Sequence, residues 1–212
     1  HQKAAVLYRK QARFQLITTG KISQKSLLFE NQHIERLIKA SRYFSYPFDA
    51  EYLKKKIEEE CRACDINQDY RLRISLSKSG KIELSRQILT PLTPTFCKAK
   101  ICLQEANLQQ AFTYFKTTHR PHLSLGEQEE IYHNTKGELL ETSIGNLVLK
   151  IAGKLYTPPI RLGILPGIYR QHLLETGQVE EKVLTLADLA QAEAIYGCNA
   201  VRGLYELSMK EN

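Results

Sequence analysis

Four positions in this sequence carry residue types suited to chemistry, and they follow one another in a fixed order. Arg36 lies in HIERL, residues 33–37. A guanidinium there can clamp a phosphate through two parallel hydrogen bonds, although most helix arginines are simply solvated. Lys116 follows the apolar and aromatic run AFTYF. A lysine held out of water has a lowered pKa, which is what it needs to react with a carbonyl; the plainer alternative is the exposed end of a strand. Glu141 opens ETSIGNL, residues 141–147. An acid at the end of a strand can face an aromatic nitrogen, keep it protonated and make the ring an electron sink, whereas a turn acid does nothing of the kind. Last comes GILPGIYRQ, residues 163–171, a glycine-bracketed turn opening a helix. Such a turn offers N–H groups and the positive end of a helix dipole to a phosphate. Each signal is weak alone.

These residues need elements to hold them. Residues 14–22 read as extended. Ile34, Leu37, Ile38 and Ser41 fall on one helical face, and Pro47 ends that helix. A second helix covers about 49–64, with Asp49 as its N-cap. The period then changes to two in YRLRISLSKSGKIELSRQIL, a hairpin turning at Ser79-Gly80. TPLTPT is a proline loop, and FCKAKICLQEA is a further strand. The second half reads as strands with turns at Lys136-Gly137 and Gly153-Lys154. A short helix follows, with Pro166 and Gly167 at its start and Gly177 at its end, and then another capped by Thr185. The polar stretch 105–110 is the expected break between a small N-terminal domain, 1–107, and a larger domain, 108–212.

Composition narrows the class. Of 212 residues, 42% are apolar and 25% charged, which is ordinary for a globular protein. No run of 18 apolar residues is present, so no membrane span is expected. The first ten residues are too polar for a signal peptide, and a cytoplasmic protein is expected. Five cysteines form no framework, and the single C-x-x-C at Cys61 and Cys64 lacks a second pair, so no metal is expected. The net charge of +7 is spread along the chain, and KKK at 54–56 is answered by EEE at 58–60. That pattern argues against nucleic acid and suits an anionic cofactor and a dianionic substrate.

Taken as a set, Arg36, Lys116, Glu141 and the 163–167 turn resemble the class IV aminotransferases, the fold type IV pyridoxal-phosphate enzymes, over about residues 14–205. Within that superfamily, KTTHR is similar to the lyases that cleave aminodeoxychorismate, with Arg120 four residues after the lysine. Branched-chain transaminases place a tyrosine where Pro121 stands here. YGCNAVRGLYE, residues 196–206, resembles the lyase domain of fused 4-aminobenzoate synthases. Two features depart from the pattern. Thr18 replaces a common glutamate while Thr19 keeps the following threonine, and only Gln2 to Arg13 is available for an opening strand and glycine-rich turn. That short start fits a domain excised from, or fused behind, a synthase chain.

The resemblance implies an α+β, two-domain D-amino-acid-aminotransferase-like fold: a small α/β domain followed by a larger domain with a barrel-like sheet. It implies pyridoxal 5'-phosphate as cofactor, Lys116 as the Schiff-base lysine and proton carrier, and Glu141 on the pyridine nitrogen. Arg36, the backbone amides of Ile164, Leu165 and Gly167, and Asn199 with Ala200 would hold the phosphate. Arg73 and Arg202 are candidates for substrate carboxylates, His119 and Arg120 for the cofactor ring or the substrate, and Thr18 or Thr19 for proton delivery. The implied activity is elimination of pyruvate from a small-molecule substrate, 4-amino-4-deoxychorismate. The alternatives are transamination of branched-chain or D-amino acids, or a non-catalytic domain. A homodimer is implied, fused to or partnered with a synthase component, with no nucleic-acid or membrane partner.

Overall fold

The computed structural model describes residues 14–104, 110–124 and 126–209. They divide into two units. The first holds residues 14–90 and takes back 115–120; the second holds the remainder. The division falls at Thr90–Pro91, in the proline loop, and not at 107, because pairing draws strand β5 (Lys98–Leu103) into the second unit. Of the polar stretch expected as the break, residues 105–109 lie outside the described residues, as does the short start up to Arg13.

The first unit is a four-stranded antiparallel sheet, in the order β2 (Ser26–Leu27), β1 (Leu16–Ser23), β3 (Tyr70–Leu76) and β4 (Ile82–Ile88). Helices α1 (Glu30–Phe44) and α2 (Ala50–Arg62) join it. Helix α2 starts where Asp49 accepts the Tyr52 N–H at 2.9 Å, and α1 stops three residues ahead of Pro47. The β1–β3 register opposes Thr18 to Ile74, Thr19 to Arg73 and Lys21 to Arg71. Opposed residues share a face, and faces alternate along a strand. Leu16, Ile22, Leu72, Ile74 and Leu76 therefore line one side, fully buried like Leu37, Leu53 and Ile57 of the helices. Thr19, Arg71 and Arg73 line the other. Residues 115–120 run along the free edge of β1: Leu16 bridges Thr117, and the Ile17 N–H donates to the Lys116 carbonyl at 2.9 Å. Lys116 thus stands opposite Ile17, on the face of Arg71 and Arg73.

The second unit is built on β5, β6 (Glu130–His133), β7 (Leu139–Thr142), β8 (Asn146–Ile151), β9 (Lys154–Thr157), β10 (Glu180–Glu181), β11 (Ala194–Asn199) and β12 (Gly203–Met209). Its helices are α3 (Gln110–Tyr114), α4 (Ile168–Glu175) and α5 (Leu186–Gln191). The sheet order is β10-β9-β8-β11-β12-β5-β6-β7, and β7 pairs again with β8. Six strands thereby close into a ring, so the barrel-like sheet implied by the resemblance is present. On β8, Leu147 and Leu149 join a core with Leu139, Leu189 and Leu207, while Val148 joins another with Leu173, Val179 and Cys198. Both faces of the strand are covered, which is why NLVL reads as an unbroken apolar run. The β8–β9 turn is Ala152-Gly153, both with positive φ, one residue earlier than the sequence pattern indicated. Thr185 caps α5 in a capping box with Asp188.

Among the described residues no helix is long and apolar enough to cross a membrane, and no group of side chains is suited to hold a metal. All five cysteines are free thiols.

One buried pair in the first unit has a measurable pH signature. His33 is fully buried, and its Nδ1 lies 2.6 Å from the Thr18 hydroxyl. Burial, and then the charges of Arg36 and Lys116, hold its imidazole down to about 3, against an ordinary value of 6.5. Between those values the unfolded chain binds a proton that the folded chain does not, so stability falls as pH falls through this window. One such proton gives a slope of at most about 1.4 kcal/mol per pH unit. Urea unfolding of the wild type and His33→Asn, compared stepwise from pH 6.5 downward, should show the wild type losing its advantage at about that slope. A gap that stays constant with pH would contradict the assignment.

Candidate active site

The first unit concentrates positive charge around one amine. Lys116, Arg36, Arg71, Arg73 and Arg120 are all half-buried. The Lys116 amine is pushed well below the ordinary lysine range, first by burial, then by Arg36, Arg120, Arg71 and Arg73. Strand register brings Arg71 and Arg73; α1 brings Arg36, and the lysine's own segment brings Arg120. Burial and then Arg120 push the Arg36 guanidinium down to about 10. An uncharged amine is both a nucleophile and a base. A cluster of cations of this kind makes a positive field that attracts anionic groups.

Local packing fixes this segment. The Phe115 ring lies 4.6 Å from Tyr43 and 5.4 Å from Phe44, centroid to centroid. The Thr117 hydroxyl donates to the His119 carbonyl at 2.8 Å and accepts the His119 N–H at 3.2 Å, a turn that carries the chain to Arg120. The two candidate threonines separate. Thr19 shares the face of Arg73, but Thr18 points the other way, onto His33. Alternation along β1 therefore gives Thr18 a packing role and leaves Thr19 as the hydroxyl on the cation face.

In the second unit, Glu141 is 2% exposed on β7, and its Oε2 accepts the Leu165 N–H at 3.3 Å. Asn146, opposite Glu141 in register, donates from Nδ2 to the Leu165 carbonyl at 2.8 Å. Both polar backbone groups of Leu165 are thus held by the β7–β8 pair, and its amide goes to the acid instead of to a phosphate. A Cβ at Gly167 would fall 1.9 Å from the Asn146 Oδ1, so only glycine fits this turn. Helix α4 then begins with no side-chain cap, and its first-turn amides are of the kind that can receive an anion.

The turn between β11 and β12 holds Asn199, Ala200 and Arg202. The Asn199 Oδ1 accepts the N–H groups of Val201 and Arg202, each at 2.9 Å, and its Nδ2 donates to the Ile144 carbonyl at 3.3 Å. Asn199 therefore shapes the turn. A Cβ at Gly203 would lie 3.4 Å from Tyr169, which places this turn beside the first turn of α4. Burial pushes the Arg202 guanidinium below its ordinary value.

Each unit by itself offers groups that suit part of pyridoxal phosphate: the first a buried amine for an aldehyde among cations that attract a phosphate, the second a helix start that can receive an anion and a buried acid that can pair with a ring nitrogen. Three contributors escaped the sequence reading. Arg71 lies two residues from Arg73, and period-two alternation could have found it. Asn146 lies inside ETSIGNL and could have been found as the cross-strand neighbour of Glu141. Glu129, buried in the second unit, had no sequence signal.

Comparison with known proteins agrees with this chemistry. The model of the family described as "Amino-transferase class IV" matches residues 15–208. A solved structure from Mesorhizobium loti, described as a candidate amino-acid aminotransferase, superposes with a TM-score of 0.78 at 27% identity, covering 93% of this chain and 100% of that one. A Thermotoga maritima protein described as a probable branched-chain amino-acid aminotransferase is 24% identical over 203 residues, 85% of this chain and 73% of its own. A Schizosaccharomyces pombe protein described as a candidate aminodeoxychorismate lyase is 23% identical over 163 residues, 70% of this chain and 68% of its own. Enzymes of this fold use pyridoxal phosphate, and solved neighbours include a form with it bound. With the family match spanning nearly the whole chain and the fold in agreement, the chain belongs to the class IV aminotransferases, pyridoxal-phosphate enzymes.

Proposed function

We propose that this chain is an aminodeoxychorismate lyase, which eliminates pyruvate from 4-amino-4-deoxychorismate to give 4-aminobenzoate for folate biosynthesis. The observation that carries this reading is the set of four arginines bearing on Lys116. A cofactor phosphate accounts for about two negative charges. Four guanidinium groups favour a substrate with carboxylates of its own, and 4-amino-4-deoxychorismate carries two. A branched-chain amino acid offers one carboxylate and an apolar side chain. The lyase-like KTTHR and the similarity to the fission-yeast protein point the same way. In this reading the protein is a cytoplasmic homodimer that takes its substrate from a synthase component, fused or separate.

Bound pyridoxal phosphate supplies an aldehyde that captures amines and a ring that accepts an electron pair. The chain's residues do the remainder. On the pattern of the family, Arg36 and the first turn of α4 are the groups that would hold the cofactor phosphate. Glu141 would keep a proton on the ring nitrogen. Arg71 and Arg73 bind substrate carboxylates and orient the ring. Lys116, its amine pushed toward the uncharged form by burial and its cationic neighbours, would take the proton from the ring carbon that bears the substrate nitrogen. The adjacent carbon–oxygen bond breaks, the enolpyruvyl group takes up a proton and leaves as pyruvate, and the ring becomes aromatic. Thr19, or a water beside it, delivers that proton. Aromatisation drives the reaction, so positioning and proton transfer are the protein's main contributions.

Two measurements test the proposal. Purified wild type given 4-amino-4-deoxychorismate should release 4-aminobenzoate and pyruvate in equal amounts, and Lys116→Ala should lose both by at least about a hundredfold. Wild type that makes neither, yet converts the cofactor to its amine form with an amino acid alone, would replace the lyase reading with a transaminase. Arg73→Met and Arg71→Met should each raise KM by about ten- to a hundredfold, as expected for loss of a hydrogen bond to a charged group, with little change in cofactor binding. An unchanged KM would remove that arginine from the substrate site.

A further inference from the structure

Glu129 is buried without any exposed surface in the second unit, and nothing in the mechanism above uses it. Its backbone is fixed on both sides: its N–H donates to the Phe96 carbonyl at 2.9 Å, and its carbonyl accepts the Lys100 N–H at 3.1 Å. Its carboxyl is fixed as well. Oε1 accepts the Ile144 N–H at 3.2 Å, and Oε2 accepts the Tyr205 hydroxyl at 2.9 Å. Burial raises the pKa of this carboxyl, and the hydrogen bonds it receives oppose that rise.

Ile144 sits at the tip of the β7–β8 turn, and its peptide groups are held from two directions. The N–H goes to Glu129, while the carbonyl accepts from Asn199. The turn is drawn tight by the Thr142 N–H, which donates to the Gly145 carbonyl at 2.9 Å. At its two ends stand Glu141 and Asn146, which together grip Leu165 ahead of α4. The Tyr205 ring covers the turn closely. A Cβ at Gly197 would lie 2.4 Å from that ring, and one at Gly145 would lie 3.0 Å from its hydroxyl.

We propose that Glu129 is a positioning residue: together with Tyr205 it braces the Ile144 peptide, and so sets the aim of Glu141 and Asn146 toward the cofactor-binding turn. Glu129 touches neither cofactor nor substrate and acts through the turn. The inference rests on the assignment of Glu141 and the α4 turn to pyridoxal phosphate, and it is independent of whether the enzyme is a lyase or a transaminase.

The test is equilibrium dialysis of the apo chain against pyridoxal phosphate, well below its melting temperature, with the melting temperature measured alongside. Glu129→Ala should raise the dissociation constant about tenfold, and Tyr205→Phe by several-fold, as expected when one or two net hydrogen bonds are lost. Glu129→Gln should stay within about threefold of wild type, because an amide can accept from the Ile144 N–H and donate to the Tyr205 oxygen. A merely structural role would lower the melting temperature and leave the dissociation constant of the folded chain unchanged. Wild-type affinity in folded Glu129→Ala and Tyr205→Phe would overturn the proposal, as would Glu129→Gln being as damaging as Glu129→Ala. Should Glu129→Ala not fold, Tyr205→Phe removes a single oxygen and decides alone. A chain that binds the cofactor as expected but makes no 4-aminobenzoate would count against the lyase reading only.

Discussion

Charge crowding around a single amine is the constraint on which the first unit depends. Four guanidinium groups bear on Lys116, and like charges repel, so they disfavour the charged form of its buried amine. Burial first, and then these charges, push its amine well below the ordinary lysine range. That shift is useful chemically, since a deprotonated amine is both a nucleophile and a base. The arrangement also explains why the sheet carries arginines on one face. β3 spends its other face on Leu72, Ile74 and Leu76, so alternation sends Arg71 and Arg73 to the side of Lys116. Local rules broken in this way mark functional sites in folded proteins.

Much of this was legible in the sequence, for a specific reason. Arg36, Lys116, Glu141 and the glycine turn are residue types with few alternative uses in that order, and period two in YRLRISL placed Arg73 on a strand. What stayed hidden depends on contacts distant in sequence. Alternation says that Thr18 and Thr19 face opposite ways, but only packing of α1 against β1 shows which of them meets His33. Leu165 and Asn199 carry groups that look suited to a ligand, yet tertiary contacts engage them within the protein. The assignment of β5 to the second unit rests on parallel pairing with β6 and β12, and no local pattern in FCKAKICLQEA announces it.

The second unit shows how a barrel positions side chains without devoting whole elements to them. Its strands are covered on both faces, as the split of Leu147 and Leu149 from Val148 illustrates. Rigid packing of this kind fixes the strand ends, and the candidate site residues Glu141 and Asn146 stand at such ends. The cost is a set of positions with no tolerance for a side chain. Gly167 is one, because the Asn146 amide occupies the volume a Cβ would need.

The ring of strands is joined at a corner where β7 meets β8 through Glu141 and Asn146. The same residues hold the turn that leads into α4. A molecule that binds this corner only when it is formed would therefore stabilise the seam of the barrel by mass action. Saturating such a ligand a hundredfold above its dissociation constant adds about 2.7 kcal/mol to the closed form. Amide exchange along β7 and β8 would then report on ligand load as directly as on fold stability.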